Sequence, residues 1–215
     1  AVPPGGAWTA EQRARALEIA GSVFDDYESR GLTGRPLLWR LRRDLLRAQL
    51  ERFLDDDASH RTVLGARPKH AEWSFGLPGS AVGPVRIERP DGSELLLAGR
   101  VDRVDVIDDR RVLVFDYKTS RPDTYDGLDR ADPVLGGRVL QLGVYAEAAV
   151  QHLGATEAEA WYWMLGDERG SPLKGYPWTD DRRRRFVEVV DAIAAGIAAG
   201  AFPAEPGAPA SFFGT

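Results

Sequence analysis

Asp102, Asp116 and Lys118 are the residues whose types and spacing point most directly to chemistry. Asp116 and Lys118 lie two apart in the strand-like run VLVFDYKTS, so their side chains project from one face. They follow Val112, Leu113, Val114 and Phe115, a setting in which charge is costly unless compensated. An ordinary ion pair between the two would compensate it. A second possibility comes from the preceding run GRVDRVDVI. A hairpin with its loop at 108–110 sets Asp102 opposite Asp116 and Val104 opposite Val114. Carboxylates facing each other about 5 Å apart at Cβ repel, an arrangement that a cation between them would relieve. Oxygen donors alone favour Mg2+ or Mn2+ over Zn2+. Such an ion binds a phosphate oxygen and lowers the pKa of a bound water, with Lys118 placed to hold that water or to steady a pentavalent phosphorus. Spacing alone leaves both readings open, ion pair or metal site.

These residues need strands to hold them. Strand patterns begin near residue 70, with Trp73 and Phe75 alternating with Glu72 and Ser74. PVRIERP, the turn-like Pro90-Asp91-Gly92 and SELLLAGRVDRVDVI predict a hairpin, and RVLVFDYKTS a further strand. Residues 121–137 read as a loop, 138–153 as a helix, 158–165 as a strand, 166–172 as a polar loop and 173–178 as a weak strand. A last helix covers 180–199, and the Pro- and Gly-rich tail FPAEPGAPASFFGT reads as extended. Upstream, Thr9 and Gln12 form a capping-box pattern for a helix over 9–29. Pro36 opens a second helix over 36–55, with leucines on one side and Arg40, Arg43 and Arg47 on the other. Helices, then antiparallel strands, then helix, strand and helix predict one α/β domain over 1–215 with a mixed sheet.

Composition narrows the function classes. The 215 residues include no cysteine, which excludes disulfides, thiolate zinc sites, an iron–sulfur cluster and a cysteine nucleophile within this chain. No apolar run is long enough for a membrane span, and the opening AVPPGGAWTAEQ lacks the basic and apolar regions of a signal peptide. A soluble cytoplasmic protein, a fragment of a longer chain, is the expectation. The net charge of −5 gives no global electrostatic case for nucleic acid. Of 28 basic residues only Lys69, Lys118 and Lys174 are lysines, so the places where lysine stands are informative. No Gly-x-x-x-x-Gly-Lys phosphate loop occurs, so an ATP-driven motor must lie elsewhere.

The string GRVDRVDV…VFDYKTS…QLGVYA resembles the RecB-type nuclease domain of the PD-(D/E)XK superfamily. The matching residues are Asp102 within Gly99–Arg103, Asp116-Tyr117-Lys118, and Gln141 with Tyr145. The resemblance covers 70–165 well and the flanking helices loosely. It implies a restriction-endonuclease-like mixed central sheet flanked by helices. It further implies metal ligation by Asp102, Asp116 and the main-chain carbonyl of Tyr117, with Lys118 catalytic. Gln141 and Tyr145 are expected to support Lys118 or the DNA backbone, and Glu72 matches the upstream acidic residue of the fold. The implied activity is Mg2+- or Mn2+-dependent hydrolysis of DNA phosphodiesters. The implied setting is an exonuclease module of a helicase–nuclease repair or recombination enzyme, with single strands or duplex ends as substrate and a helicase domain or subunit as partner. Two departures stand out: neither His60 nor His70 matches the upstream metal-ligating histidine of many relatives, and the cluster-binding cysteines of others are missing.

The rival reading is a catalytically silent module of the same fold that binds DNA or a partner protein. Blander readings apply elsewhere. The arginines of 36–55 and Arg182–Arg185 read as solvated faces, with phosphate tracking the competing role. Trp161 and Trp163 read as core, His152 as structural or exposed, and Arg103 and Asp105 as an ion pair.

Overall fold

The computed structural model describes residues 6–120, 122–128, 132–166 and 172–202. Helix α1 (Ala10–Ser29) starts at the expected capping box: the Thr9 hydroxyl accepts from the Gln12 N–H, and the Gln12 side chain accepts from the Thr9 N–H. It packs on α2 (Pro36–Leu64) through an edge-to-face contact of Phe24 with Trp39, and the Trp39 indole N–H donates to Glu28 at 3.1 Å. The packing uses little of the apolar pattern. Ile19, Val23 and Tyr27 on α1, and Leu37, Leu38, Leu41 and Leu45 on α2, stand exposed.

Helix α2 does not stop at 55; it continues to Leu64 and ends at Gly65, whose φ of 65° is left-handed. The polar stretch DDDASHR looks like a terminus, yet two of its residues are buried. Asp57 and Arg61, one helical turn apart, pair at 3.1 Å, and Asp57 also pairs with Arg103 at 2.6 Å.

The sheet has the order β1-β4-β5-β6-β7, from strands β1 (Arg67–Phe75), β4 (Gly99–Val106), β5 (Arg111–Lys118), β6 (Glu157–Met164) and β7 (Leu173–Pro177). Only β5 and β6 run parallel, joined by α3 (Gln141–Leu153); a mixed sheet flanked by helices is what the sequence predicts. β2 (Val85–Glu88) and β3 (Glu94–Leu97) form the expected hairpin around Asp91 and Gly92, but as a separate two-stranded sheet. The apolar run SELLLAGRVDRVDVI is therefore two strands broken at Ala98. Gly99 explains where the second begins. A Cβ there would stand 2.8 Å from the Phe75 ring and 3.3 Å from Tyr145, so only glycine lets both aromatics close on the strand.

Alternation along β5 sends side chains to two cores. Val112, Val114 and Tyr162 join Leu142, Ala146 and Phe186 on the face covered by α3 and α4 (Asp180–Ala198). The helices meet closely because a Cβ on Gly143 would come within 2.5 Å of the Phe186 ring. Leu113, Phe115 and Trp163 pack on the other face against Phe53 of α2. The predicted extended tail at 203–215 and most of the 166–172 loop lie outside the described residues.

Candidate functional site

The loop at 108–110 sets the predicted register: Val104 pairs with Val114, and Arg103 with Phe115. The ladder then stops. The Ile107 N–H bonds to the Arg111 carbonyl, and antiparallel alternation makes the Tyr117 N–H the next due to reach Val101. Instead it donates to the Asp102 carboxylate at 2.7 Å. Asp102 and Asp116, one step beyond the last pair, thus flank a local opening between β4 and β5. The Tyr117 carbonyl leaves the strand on the same edge as its N–H, toward that opening. Across β4, Ala71 pairs with Arg103 and Trp73 with Val101, which puts Glu72 opposite Asp102. Glu72 has a φ of 50°, a departure from extended geometry at this point in β1.

Asp116 is buried beneath this opening. Its Oδ1 accepts from the Gln141 amide at 2.7 Å, and its Oδ2 lies 2.5 Å from Lys118 Nζ. Lys118 also donates to Gln141 Oε1 at 2.9 Å, and its ammonium sits 4.9 Å from the centre of the Tyr162 ring. Gln141, the first residue of α3, thereby bridges base and acid, and its amide reaches the Tyr145 hydroxyl at 2.8 Å, one turn along the helix. Burial pushes the Asp116 carboxyl above the usual carboxylate range, with Lys118 opposing and the Asp102 charge adding. The Tyr145 hydroxyl is pushed up to about 12, by burial first and then by Asp116, Asp102 and Glu72, against the Gln141 hydrogen bond. All three carboxylates act on that one hydroxyl.

Asp102, Asp116, Tyr117, Lys118, Gln141 and Tyr145 are brought together. Glu72 flanks them with its carboxylate turned outward, exposed and 3.7 Å from Arg100. His60 is on α2, edge-on to Phe115, and so lies across the sheet from Asp116. His70 stacks on Trp73, and His152 is edge-on to that same ring.

The donor set suits a hard cation. Among the described residues no three His, Cys, Asp or Glu side chains gather into a cage. Two carboxylates and a carbonyl suit an ion that keeps several waters, as Mg2+ does. Asp116 Oδ2 is buried and lies 2.5 Å from the Lys118 ammonium, and a carboxylate oxygen with one such neighbour keeps a second lone pair for an ion.

Behind the site lies a network that residue spacing revealed only in part. Arg103 holds Asp105 through two contacts of 2.6 Å, as its spacing predicts, and its guanidinium lies over Phe115 and Trp163. It also reaches Asp57, which accepts from the Trp8 indole at 2.7 Å. This buried cluster ties α2 and the segment before α1 to the strand that carries Asp102. The i, i+4 spacing of Asp57 and Arg61 was the available signal. The arginine run of α4 is largely engaged within the protein: Arg183 holds the buried Glu147 at 2.6 Å, Arg182 donates to the Pro177 carbonyl, and Arg184 pairs with Asp181. Trp163 is core, as expected, while Trp161 is half-buried and donates to Glu159.

The strands thus form a mixed sheet opened at two aspartates, with a lysine two residues beyond the second. The chain matches the PD-(D/E)XK nuclease superfamily over residues 4–211 and belongs to it. Among similar curated proteins, an ATP-dependent helicase/deoxyribonuclease subunit from Symbiobacterium thermophilum is 34% identical over 111 residues, covering 50% of this chain and 9% of that protein. The protein of the same name from Pelotomaculum thermopropionicum is 31% identical over 157 residues, covering 67% of this chain and 12% of its own length. That of Listeria monocytogenes is 39% identical over 87 residues, covering 39% and 7%. The chain thus spans about a tenth of the length of these relatives. No helix among the described residues is long and apolar enough to cross a membrane.

Proposed function

We propose that this chain is one domain, a divalent-metal-dependent deoxyribonuclease that hydrolyses phosphodiesters at DNA ends. The observation that carries the reading is the convergence of Asp102, Asp116 and Lys118, with Gln141 bonded to both Asp116 and Lys118. Asp102, Asp116 and the Tyr117 carbonyl would hold Mg2+ or Mn2+. When bound, the ion supplies a Lewis acid and a water of lowered pKa.

The chain's own residues do the rest. Gln141 and the Tyr162 ring hold the Lys118 ammonium where negative charge grows on the phosphate, and a fixed cation there lowers the barrier. Tyr145, with its raised pKa, stays protonated and orients Gln141. Glu72, outermost of the carboxylates and open to solvent, takes up the proton that the attacking water loses.

The names of the relatives support a wider role as the nuclease module of a helicase–deoxyribonuclease, with a helicase domain or subunit as partner; exonuclease action in cytoplasmic DNA repair is the further part of the proposal. The test is cleavage of end-labelled single- and double-stranded DNA with Mg2+ or Mn2+, without ATP. Turnover by the wild type that is lost in a folded Asp116→Ala variant supports the reading; equal turnover by that variant contradicts it.

A further inference from the structure

The strand registers carry the site further than its aspartates. Asp116 pairs with Tyr162 on β6, and Tyr162 pairs with Lys174 on β7. The β1–β4 register, interpolated between Ala71 and Trp73, sets Glu72 level with Asp102. The β4–β5 register, carried one step past its last pair, sets Asp102 level with Asp116, so the row Glu72, Asp102, Asp116, Tyr162, Lys174 crosses all five strands. Directly paired residues share a face. The row is acidic at one end, aromatic toward the middle and cationic at the other. Lys174 stands two strands from Asp116, roughly 10 Å at the spacing of neighbouring strands. It is one of only three lysines in a chain whose other 25 basic residues are arginines.

Lys174 is held back by an acid. Its ammonium pairs with Asp126 at 2.9 Å; the lysine side chain is 29% exposed and the aspartate 67%. Asp126 follows directly on the 3-10 turn Pro122–Tyr125, and Tyr125 lies against the Tyr162 ring at 4.5 Å between centres. The 122–126 segment thus lies over the row, bringing one aromatic to Tyr162 and one carboxylate to Lys174.

We propose that Lys174 binds a phosphate of the nucleic-acid strand next to the one cut, and that Asp126 is the counter-ion which that phosphate displaces. The inference rests on the proposed nuclease function and adds a substrate-binding position to it. Tyr162 itself is buried beneath Tyr125, so a strand with its scissile phosphate at the acidic end passes over that cover to reach the partly exposed Lys174 cation. Replacing Asp126 with a phosphate keeps the lysine charge paired, and a phosphate oxygen accepts from an ammonium as a carboxylate does. A purely structural role, pinning the turn to β7, would instead make the two partners equivalent.

That difference sets the experiment. Binding of a fluorescent single-stranded DNA is followed by anisotropy in Ca2+ over a range of salt, for the wild type, Lys174→Gln and Asp126→Asn, with the melting temperature of each recorded. Lys174→Gln is expected to weaken binding about tenfold. It should also flatten the plot of log affinity against log salt by about 0.7, the share of one phosphate contact on a single strand. Asp126→Asn is expected to tighten binding. If both variants weaken binding alike and lower the melting temperature alike, the pair is structural and the inference falls. Unchanged affinity and salt slope in Lys174→Gln overturn it too, while leaving the nuclease reading in place. A wild type that binds no DNA overturns both.

Discussion

The Asp102 carboxylate accepts the Tyr117 N–H at 2.7 Å, where a continuing sheet would have offered the Val101 carbonyl. A side chain thus takes the place of main chain, and the β4–β5 ladder ends at Arg103 and Phe115. The exchange keeps the amide bonded while freeing the edge on which the Tyr117 carbonyl opens. The result is a local break in an otherwise buried sheet, with two carboxylates beside it. Breaking a ladder is costly in general, and Asp102 offsets that cost by acting as the hydrogen-bond acceptor itself.

Lys118→Ala should lower the rate of DNA cleavage by about 10²–10³-fold, the range for removing one preorganised group that stabilises transition-state charge. Circular dichroism should leave the fold unchanged, because the Lys118 side chain is only partly buried. Single-turnover cleavage at saturating metal checks this. Wild-type rates in the variant would remove Lys118 from the chemistry.

Gln141 touches Asp116, Lys118 and Tyr145 but stands one step back from the substrate position. Gln141→Leu should therefore reduce kcat about 10–100-fold with KM little changed, as for other residues that orient a metal site. Gln141→Glu should move the acidic limb of the pH–rate profile, since it puts a further titrating carboxyl in contact with Lys118 and Asp116. A filler role would leave that profile where it is.

How far the sequence discloses this site depends on which pairing each residue needs. Asp102 facing Asp116 is legible because a short hairpin loop sets its own register. Glu72 opposite Asp102 needs the register of β1 with β4, which shifts between Pro68 and His70 in a way no turn signal announces. Lys174 stands out by residue type, but its face is known only from β7 pairing with β6. The end of α2 is hidden because Asp57 and Arg61 look solvated and are buried as partners. Conversely, the leucines of α2 read as core and many stand exposed, since periodicity fixes a helix face without saying what covers it.

The buried charges behind Asp102 should be sensitive to losing one member. Arg103→Leu strands the fully buried Asp105 and takes from buried Asp57 its second guanidinium, leaving it Arg61 and the Trp8 indole, and should cost about 3–5 kcal/mol in denaturant unfolding. Asp105→Asn combined with Arg103→Leu should recover part of that loss. A loss below about 1 kcal/mol for Arg103→Leu would mean that the network does little to hold α2 on β4.

Stability should also fall on mild acidification through His60. Burial against Phe115 and Trp163 lowers its pKa below the usual 6.5. The unfolded chain therefore takes up a proton first. The favourable contribution of neutral His60 is complete above pH 6.5 and is lost as pH falls from there toward the depressed folded-state value. Urea unfolding at pH 7.5 and 5.5 should show a drop in the wild type that is smaller in His60→Leu. Equal drops in the two proteins would assign the pH dependence to other groups.

If Asp102 and Asp116 form one side of a divalent-metal site, calorimetric titration of Mn2+ reads it without any assay of cleavage. Wild type should bind the ion, and Asp102→Asn and Asp116→Asn should each lose binding while circular dichroism shows them folded. Wild-type affinity retained in a folded Asp116→Asn protein would place the metal elsewhere and remove the two aspartates from its coordination.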